Sequence, residues 1–160
     1  MRRAHEAIYG SLRSCPNDAP LLLLEGEILA RELSLLRIQL KNGETSLAVI
    51  QAVQSRCISA FERAVENDGS NTSAIVRLAT IYLDFGNFKR AEELFLNALE
   101  INSADLDGLR RYGDALSSVG KNVEAEQIYL RRQRIMAAYQ SVFQSFRDSQ
   151  ILSQAADGKE

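Results

Sequence analysis

Few residues in this 160-residue chain could do chemistry, and most are badly spaced for it. His5 is the single histidine, and Cys15 and Cys57 stand far apart, outside any C-x-x-C. A histidine–carboxylate metal site or a Cys-His dyad would need His5 to reach distant segments. Two separated cysteines make neither a disulfide framework nor a thiol-rich metal site, and they fit a reducing compartment. No G-x-x-x-x-G-K-S/T or G-x-G-x-x-G occurs to cradle a phosphate. The expectation is a chain with no catalytic residues, no cofactor, no metal and no enzymatic activity of its own. What remains is arginine. Arg77 and Arg111 lie thirty-four positions apart, with Arg110 beside the second. A guanidinium can donate two parallel hydrogen bonds to one carboxylate, so the chemistry on offer is recognition of an acidic segment. Asp107 and Asp114 dilute that charge, and solvated arginines offset by neighbouring acids are the competing reading. Arg131, Arg132 and Arg134 form a short basic cluster. In a chain of net charge −2 and pI near 5.6 it reads as a solvated face with acid partners such as Glu126, and no nucleic-acid partner is expected.

The elements that must position these residues are helices. Leu, Ala, Glu and Arg dominate, only two prolines occur, and no segment alternates apolar and polar residues as a strand does. Turn signals at Pro16–Pro20, Lys41-Asn42-Gly43, Asn67–Asn71, Asp84–Asn87, Asn102-Ser103 and Ser118–Lys121 cut the chain. They predict helices at roughly 4–14, 20–41, 44–67, 72–84, 88–101, 105–118 and 122 to about 150, with Asp18 as an N-cap and short, antiparallel connections. No apolar run reaches about 18 residues, since Glu25 and Glu27 interrupt the leucines at 21–24, so no membrane insertion is expected. Met1-Arg2-Arg3 is followed by polar residues and lacks the apolar stretch of a signal peptide. A soluble, intracellular, cytoplasmic chain is the expectation.

The helices repeat. Gly86–Asn102 and Gly120–Met136 read alike at a spacing of thirty-four, with Ala91-Glu92 over Ala125-Glu126, Phe95 over Tyr129 and Ile101 over Ile135. One unit supplies Ile75, Leu78, Ala79 and Tyr82, then Ala91, Phe95 and Ala98. The next supplies Leu109, Tyr112, Gly113 and Leu116, then Ala125 and Tyr129. A helix–turn–helix of this length with large, small and aromatic slots in this order resembles the tetratricopeptide repeat (TPR) family. The half-a-TPR relatives fit less well, since their characteristic Trp is absent. Small residues at Ala79, Gly113, Ala91 and Ala125 let helices approach, and Phe95 and Tyr129 fill the seam. Upstream, Ala4 and Ile8 fit a second helix closed by Pro16, whose missing mate upstream sequence or another chain would supply. Leu22, Gly26 and Leu29, then Cys57, Phe61 and Ala64, fit one further unit. Gly26 and Cys57 are 31 positions apart where regular units have 12. The nineteen extra residues predict a hairpin lengthened by about 14 Å per arm. Ser103 and Ala137 replace a closing proline. Arg132 stands in the slot held by Ala64 and Ala98, so the regular array is expected to end there.

The resemblance implies an all-α fold, a right-handed α-α superhelix: a solenoid of antiparallel helix pairs with a C-terminal capping helix. It spans a single domain over 1–160, with a half unit at 1–18, an elongated unit at 19–71, regular units at 72–105 and 106–139, and a terminal helix and tail at 140–160. It also implies protein binding: a scaffold or adaptor, a subunit of a larger assembly, with a protein or peptide partner and membership of a hetero-complex left open. The alternatives are a receptor for an acidic peptide in the concave groove, and the non-catalytic repeat region of a larger enzyme. In the groove, Arg77 and Arg111 would project in parallel about 10 Å apart. The family's carboxylate clamp of two Lys, two Asn and one Arg matches only at Arg111. Leu23, Glu27, Arg77 and Asp107 hold the other slots, which disfavours a chaperone tail. On the long hairpin, Leu29, Leu33, Leu36 and Leu40 can face Leu47, Ile50 and Val53. Leu35, Ile38 and Val49 lie on other faces, either folded over the adjacent turns as core or exposed to a partner. The stripe Tyr139, Val142, Phe143 and Phe146 continues the last helix beyond a normal unit, and one face of that helix can cap the solenoid as a terminal interface.

Overall fold

A computed structural model describes the backbone of residues 2–157 and the side chains of 6–150, so His5 lies outside the described side chains. Among the described residues there are seven helices and no strand. They are α1 (Arg2–Ser14), α2 (Ala19–Lys41), α3 (Leu47–Asn67), α4 (Thr72–Asp84), α5 (Phe88–Ile101), α6 (Leu106–Ser118) and α7 (Asn122–Asp157). The chain divides into two compact units, Met1–Ser103 and Ala104–Glu160.

Four of the helices, α2, α4, α5 and α6, begin where a short polar side chain takes up orphan amides of the first turn. Asp18 accepts from the amide of Leu21 at 2.9 Å, Asn71 from Ala74 at 3.1 Å and Asn87 from Arg90 at 3.2 Å. Asp105 accepts from both Asp107 and Gly108. Each such cap stabilises its helix by about 1 kcal/mol.

The ends repeat as regularly. After α2, α4 and α6 a glycine turns into the left-handed region: Gly43 at φ 74, Gly86 at φ 77 and Gly120 at φ 79. Its amide reaches back three residues, to Leu40, Leu83 and Ser117 respectively, and the next amide reaches back five, to Gln39, Tyr82 and Leu116. This paired bond is the Schellman termination. It explains why α3 starts at Leu47, three residues later than expected. Glu44 is consumed in closing α2, its amide bonding Gln39 at 2.9 Å, and Ser46 becomes the N-cap. At the next turn the residue in Glu44's place is Asn87, which also caps α5, so no slack is left there.

In the first unit α1 lays Ile8 and Leu12 against Leu22, Ala64 and Ala74. The pairs α2/α3 and α4/α5 pack as antiparallel hairpins, with α3 against α4. Phe61, Leu22, Leu29, Ile75 and Cys57 are wholly buried. In the second unit α6 pairs with the first half of α7, burying Leu109, Leu116 and Ala125. The last helix runs to Asp157, further than the expected 150.

Candidate interaction surfaces

The long hairpin is set by its crossing point. The thiol of Cys57 donates to the carbonyl of Gly26 at 3.4 Å, and the Phe61 ring lies over the Gly26 backbone, where a Cβ would meet it at 2.8 Å. Gly113 meets the Tyr129 ring in the same way, so both pairs use one design: a small residue opposite an aromatic four positions past the crossing. Beyond the crossing α2 runs fifteen residues from Gly26 to Lys41, whereas α4 runs five from Ala79 to Asp84. On the return arm α3 has ten residues from Leu47 to Cys57, against three from Phe88 to Ala91 in α5. The extra length is therefore uneven, about 15 Å on one arm and about 10 Å on the other.

Along this overhang Leu29, Leu33, Ile50 and Val53 are buried, Leu36 is half-buried, and Leu40 and Leu47 at the tip are exposed. Leu35, Ile38 and Val49 all face out, Ile38 being 58 % exposed. One side of α2 does fold over its neighbour. Arg37 donates to the carbonyl of Asp84 at 3.2 Å, approaches its carboxylate at 3.9 Å and lies 5.2 Å from the Phe85 ring centre. It supplies a cation where the α4 dipole ends negative. Burial raises the carboxyl pKa of Asp84, and Arg37 opposes that rise. Arg37 escaped the sequence reading. Its signal was position, four residues after the core residue Leu33, together with an acid at the end of the next helix.

Arg37 closes one end of a cleft of about 220 Å³ between α2 and α4, with Leu33, Phe61 and Ile81 in its lining. Arg31 and Arg77 line it as well, and Arg77 pairs with Glu27 at 3.4 Å. In the second unit Arg110 bridges Asp107 at 2.8 Å and Asp114 at 3.1 Å, and Arg111 donates to Asp107 at 2.7 Å. Burial works against the charge on Asp107, but the hydrogen bonds from Arg111 and Arg110 outweigh it and hold that carboxyl below its usual range. Arg77, Arg110 and Arg111 thus each meet an acid of their own unit. Tyr129 donates to Asp114 at 2.8 Å and Tyr82 to Glu62 at 2.7 Å, tying neighbouring helices together.

The last helix differs in packing between its two halves. Its first half packs on α6, and Arg132 turns its Nε to the carbonyl of Leu106 at 3.1 Å, at the very start of α6. The charge in the small-residue slot is thereby satisfied. Ile135 and Met136 are half-buried, and every side chain from 137 to 150 is exposed. Tyr139, Val142, Phe143 and Phe146 are between 56 % and 67 % exposed, so the distal half covers nothing within the described chain. Among the described residues no group of three or more His, Cys, Asp or Glu side chains is placed to hold a metal ion. No helix among them is long and apolar enough to cross a membrane.

No family model matches the chain, and no curated protein matches it in sequence. Solved structures do. A crystal structure of MamA is similar with a TM-score of 0.52 at 17% identity, over 85% of this chain and 88% of that one. A monomeric mutant of IFIT1 with Gppp-AAAA gives 0.50 at 18% identity, over 81% of this chain and 42% of that one. The second TPR of Spaghetti (RPAP3), bound to an HSP90 peptide, gives 0.47 at 20% identity, over 71% of this chain and 96% of that one. The fold is a tetratricopeptide-like helical repeat.

Proposed function

We propose that the chain is a non-catalytic protein–protein interaction scaffold or adaptor, a cytoplasmic subunit of a larger assembly that holds its partner through the α2/α3 hairpin. One observation carries this reading. The arms of that hairpin outrun α4 and α5, and Leu35, Ile38 and Val49 on them stay exposed while Leu33 and Ile50 are buried. Leu35 and Ile38, three positions apart on one helix face, leave apolar surface turned to water, and apolar patches of this kind mark interaction sites. Leu35→Glu with Ile38→Glu should abolish capture of the partner by the full chain, read by pull-down and mass spectrometry, with the melting temperature unchanged. A large loss of melting temperature would instead place those side chains in the core, where such changes cost about 2–5 kcal/mol.

A second reading, a receptor for an acidic peptide, is supported by the arginine-lined cleft between α2 and α4. Surface ion pairs such as Arg77–Glu27 contribute at most about 1 kcal/mol, so a ligand carboxylate can displace the resident acid. In this reading Arg77 takes the ligand carboxylate in that cleft, while Arg110 and Arg111 form a separate candidate within the second unit. Arg77→Ala should then weaken a short Glu-rich peptide by up to about fivefold, and added salt should weaken it further. Arg131→Ala should change neither. Wild-type affinity in the Arg77→Ala variant would reduce the cleft to a solvated surface.

A further inference from the structure

Among the described residues the distal half of α7 packs against no other helix. Its partner helix α6 starts at Leu106, the residue Arg132 reaches, and α7 continues for twenty-five residues past Arg132. At 100° per residue Ile135, Met136, Tyr139, Val142, Phe143 and Phe146 fall within about 120° of one face, as wide as a core-facing stripe. No residue from 135 to 146 carries a charge. We infer that this face pairs with the same face of a second copy of the chain, antiparallel, in an isologous dimer. The inference rests on reading the terminal helix as an interface and commits to what covers it.

Three arguments select the second copy and its orientation. The first is self-complementarity. A twofold interface sets one patch against itself, and a stripe with no charge contains nothing that repels its own copy. The second is area. Aromatic side chains bury about 150–250 Å² each, so four residues more than half exposed offer roughly 400–500 Å² per copy. Two copies together remove about 800–1,000 Å², and Ile135, Met136 and Gln140 carry the total past the ~1,000 Å² that a specific interface should clear. The third is charge. A parallel pair would stack Arg131, Arg132 and Arg134 against their own counterparts. An antiparallel pair with its axis near Ser141 holds the two clusters roughly 20–30 Å apart, well beyond the ~8 Å screening length. It also brings Asp148 of each copy level with Arg134 of the other.

Sedimentation of the full chain from about 1 to 200 μM tests the pairing. The wild type should sediment at twice its 17.8 kDa in the upper part of that range. Phe143→Glu should raise the dissociation constant by at least about thirtyfold, as loss of a central aromatic anchor does. Its helical content and melting temperature should stay at wild-type values, because the side chain is exposed in the single chain. Leu35→Glu/Ile38→Glu should still dimerise. A wild type that is monomeric throughout, or a Phe143→Glu variant that still dimerises, overturns the inference. If the wild type is monomeric while Phe143→Glu loses a captured protein, the terminal helix is an interface for another chain, and only the second copy is refuted. A spin label at Arg134→Cys in a Cys15→Ser background should read about 20 Å or more between copies. A separation near 10 Å overturns the antiparallel order.

Discussion

Replacing Gly26 with alanine tests the crossing on which the long hairpin depends. An added Cβ would stand 2.8 Å from Cε2 and Cζ of Phe61 and 2.9 Å from Cδ2. Carbon atoms prefer about 3.5–4.0 Å, so the ring or the helix must move by nearly 1 Å. Phe61 is only 1 % exposed, and the cleft between α2 and α4 is the one described space its ring borders. Overpacking of this kind costs about 1–3 kcal/mol. Alanine regains about 0.5–1 kcal/mol over glycine inside a helix, which leaves a net loss of up to about 2.5 kcal/mol. Gly10 supplies the control: it lies inside α1 with nothing within 4 Å, so Gly10→Ala should gain the propensity term alone. Urea unfolding followed by circular dichroism at 222 nm should move the two midpoints in opposite directions. A cycle with Phe61→Leu adds a second reading, because the smaller side chain relieves the clash and the pair should couple by about 1 kcal/mol or more. Gly113→Ala should lose less, since the Tyr129 ring is 37 % exposed and can swing outward, giving up its bond to Asp114. If Gly26→Ala stabilises the chain as much as Gly10→Ala does, Phe61 is not seated over that backbone and the crossing is wrong.

The turn after α4 and the buried thiol give two further outcomes. Gly86→Ala places a Cβ at φ 77 and should cost about 1–2 kcal/mol, with an unchanged thermal midpoint refuting the left-handed termination. Burial, and after it the charge of Asp84, raises the Cys57 thiol to about 12. A disulfide reagent at pH 8 should therefore titrate only the exposed Cys15 in the native chain, reaching Cys57 on denaturation. The linkage sign follows from that rise. The thiol's contribution to stability is whole below its unfolded value of 9.0 and is lost as pH climbs toward about 12. A second fast-reacting native thiol would place Cys57 outside the core.

Most of the helical frame was legible because two independent signals agreed. The thirty-four-residue spacing fixed α4 to α7, and Gly43, Gly86 and Gly120 stopped three helices where a left-handed residue is needed. The pairing of Gly26 with Cys57 was legible for the same reason: both stood in slots that Ala79 and Ala91 occupy in a regular unit. Less could be read where a side chain reaches across the fold. Asp107 and Asp114 sit three or four positions from Arg110 and Arg111, so their pairs followed from helical spacing. The partners of Arg77 and Arg37 lie about fifty positions away, Glu27 before one and Asp84 after the other, and no local period announces them. The sequence places Glu44 at the start of α3, but it lies in the turn, because a residue that follows a turning glycine closes the helix behind it before any new one can start.

The lengthened hairpin also bears on the order of events in time. The crossing of α4 with α5, like that of α6 with α7, joins residues 12 positions apart, whereas Gly26 must find Cys57 across 31. The entropy of closing a loop grows as three-halves of RT times the logarithm of its length, which penalises the longer closure by about 0.8 kcal/mol. Other things equal, that is roughly a fourfold slower search. The short pairs should zip first and offer α4 as a template, with Arg37 locking onto the end of α4 once the long arms arrive. Pulsed hydrogen exchange during refolding should accordingly protect the amides of α4 and α5 before those of α2 and α3, and the reverse order would show that α2 and α3 nucleate by themselves.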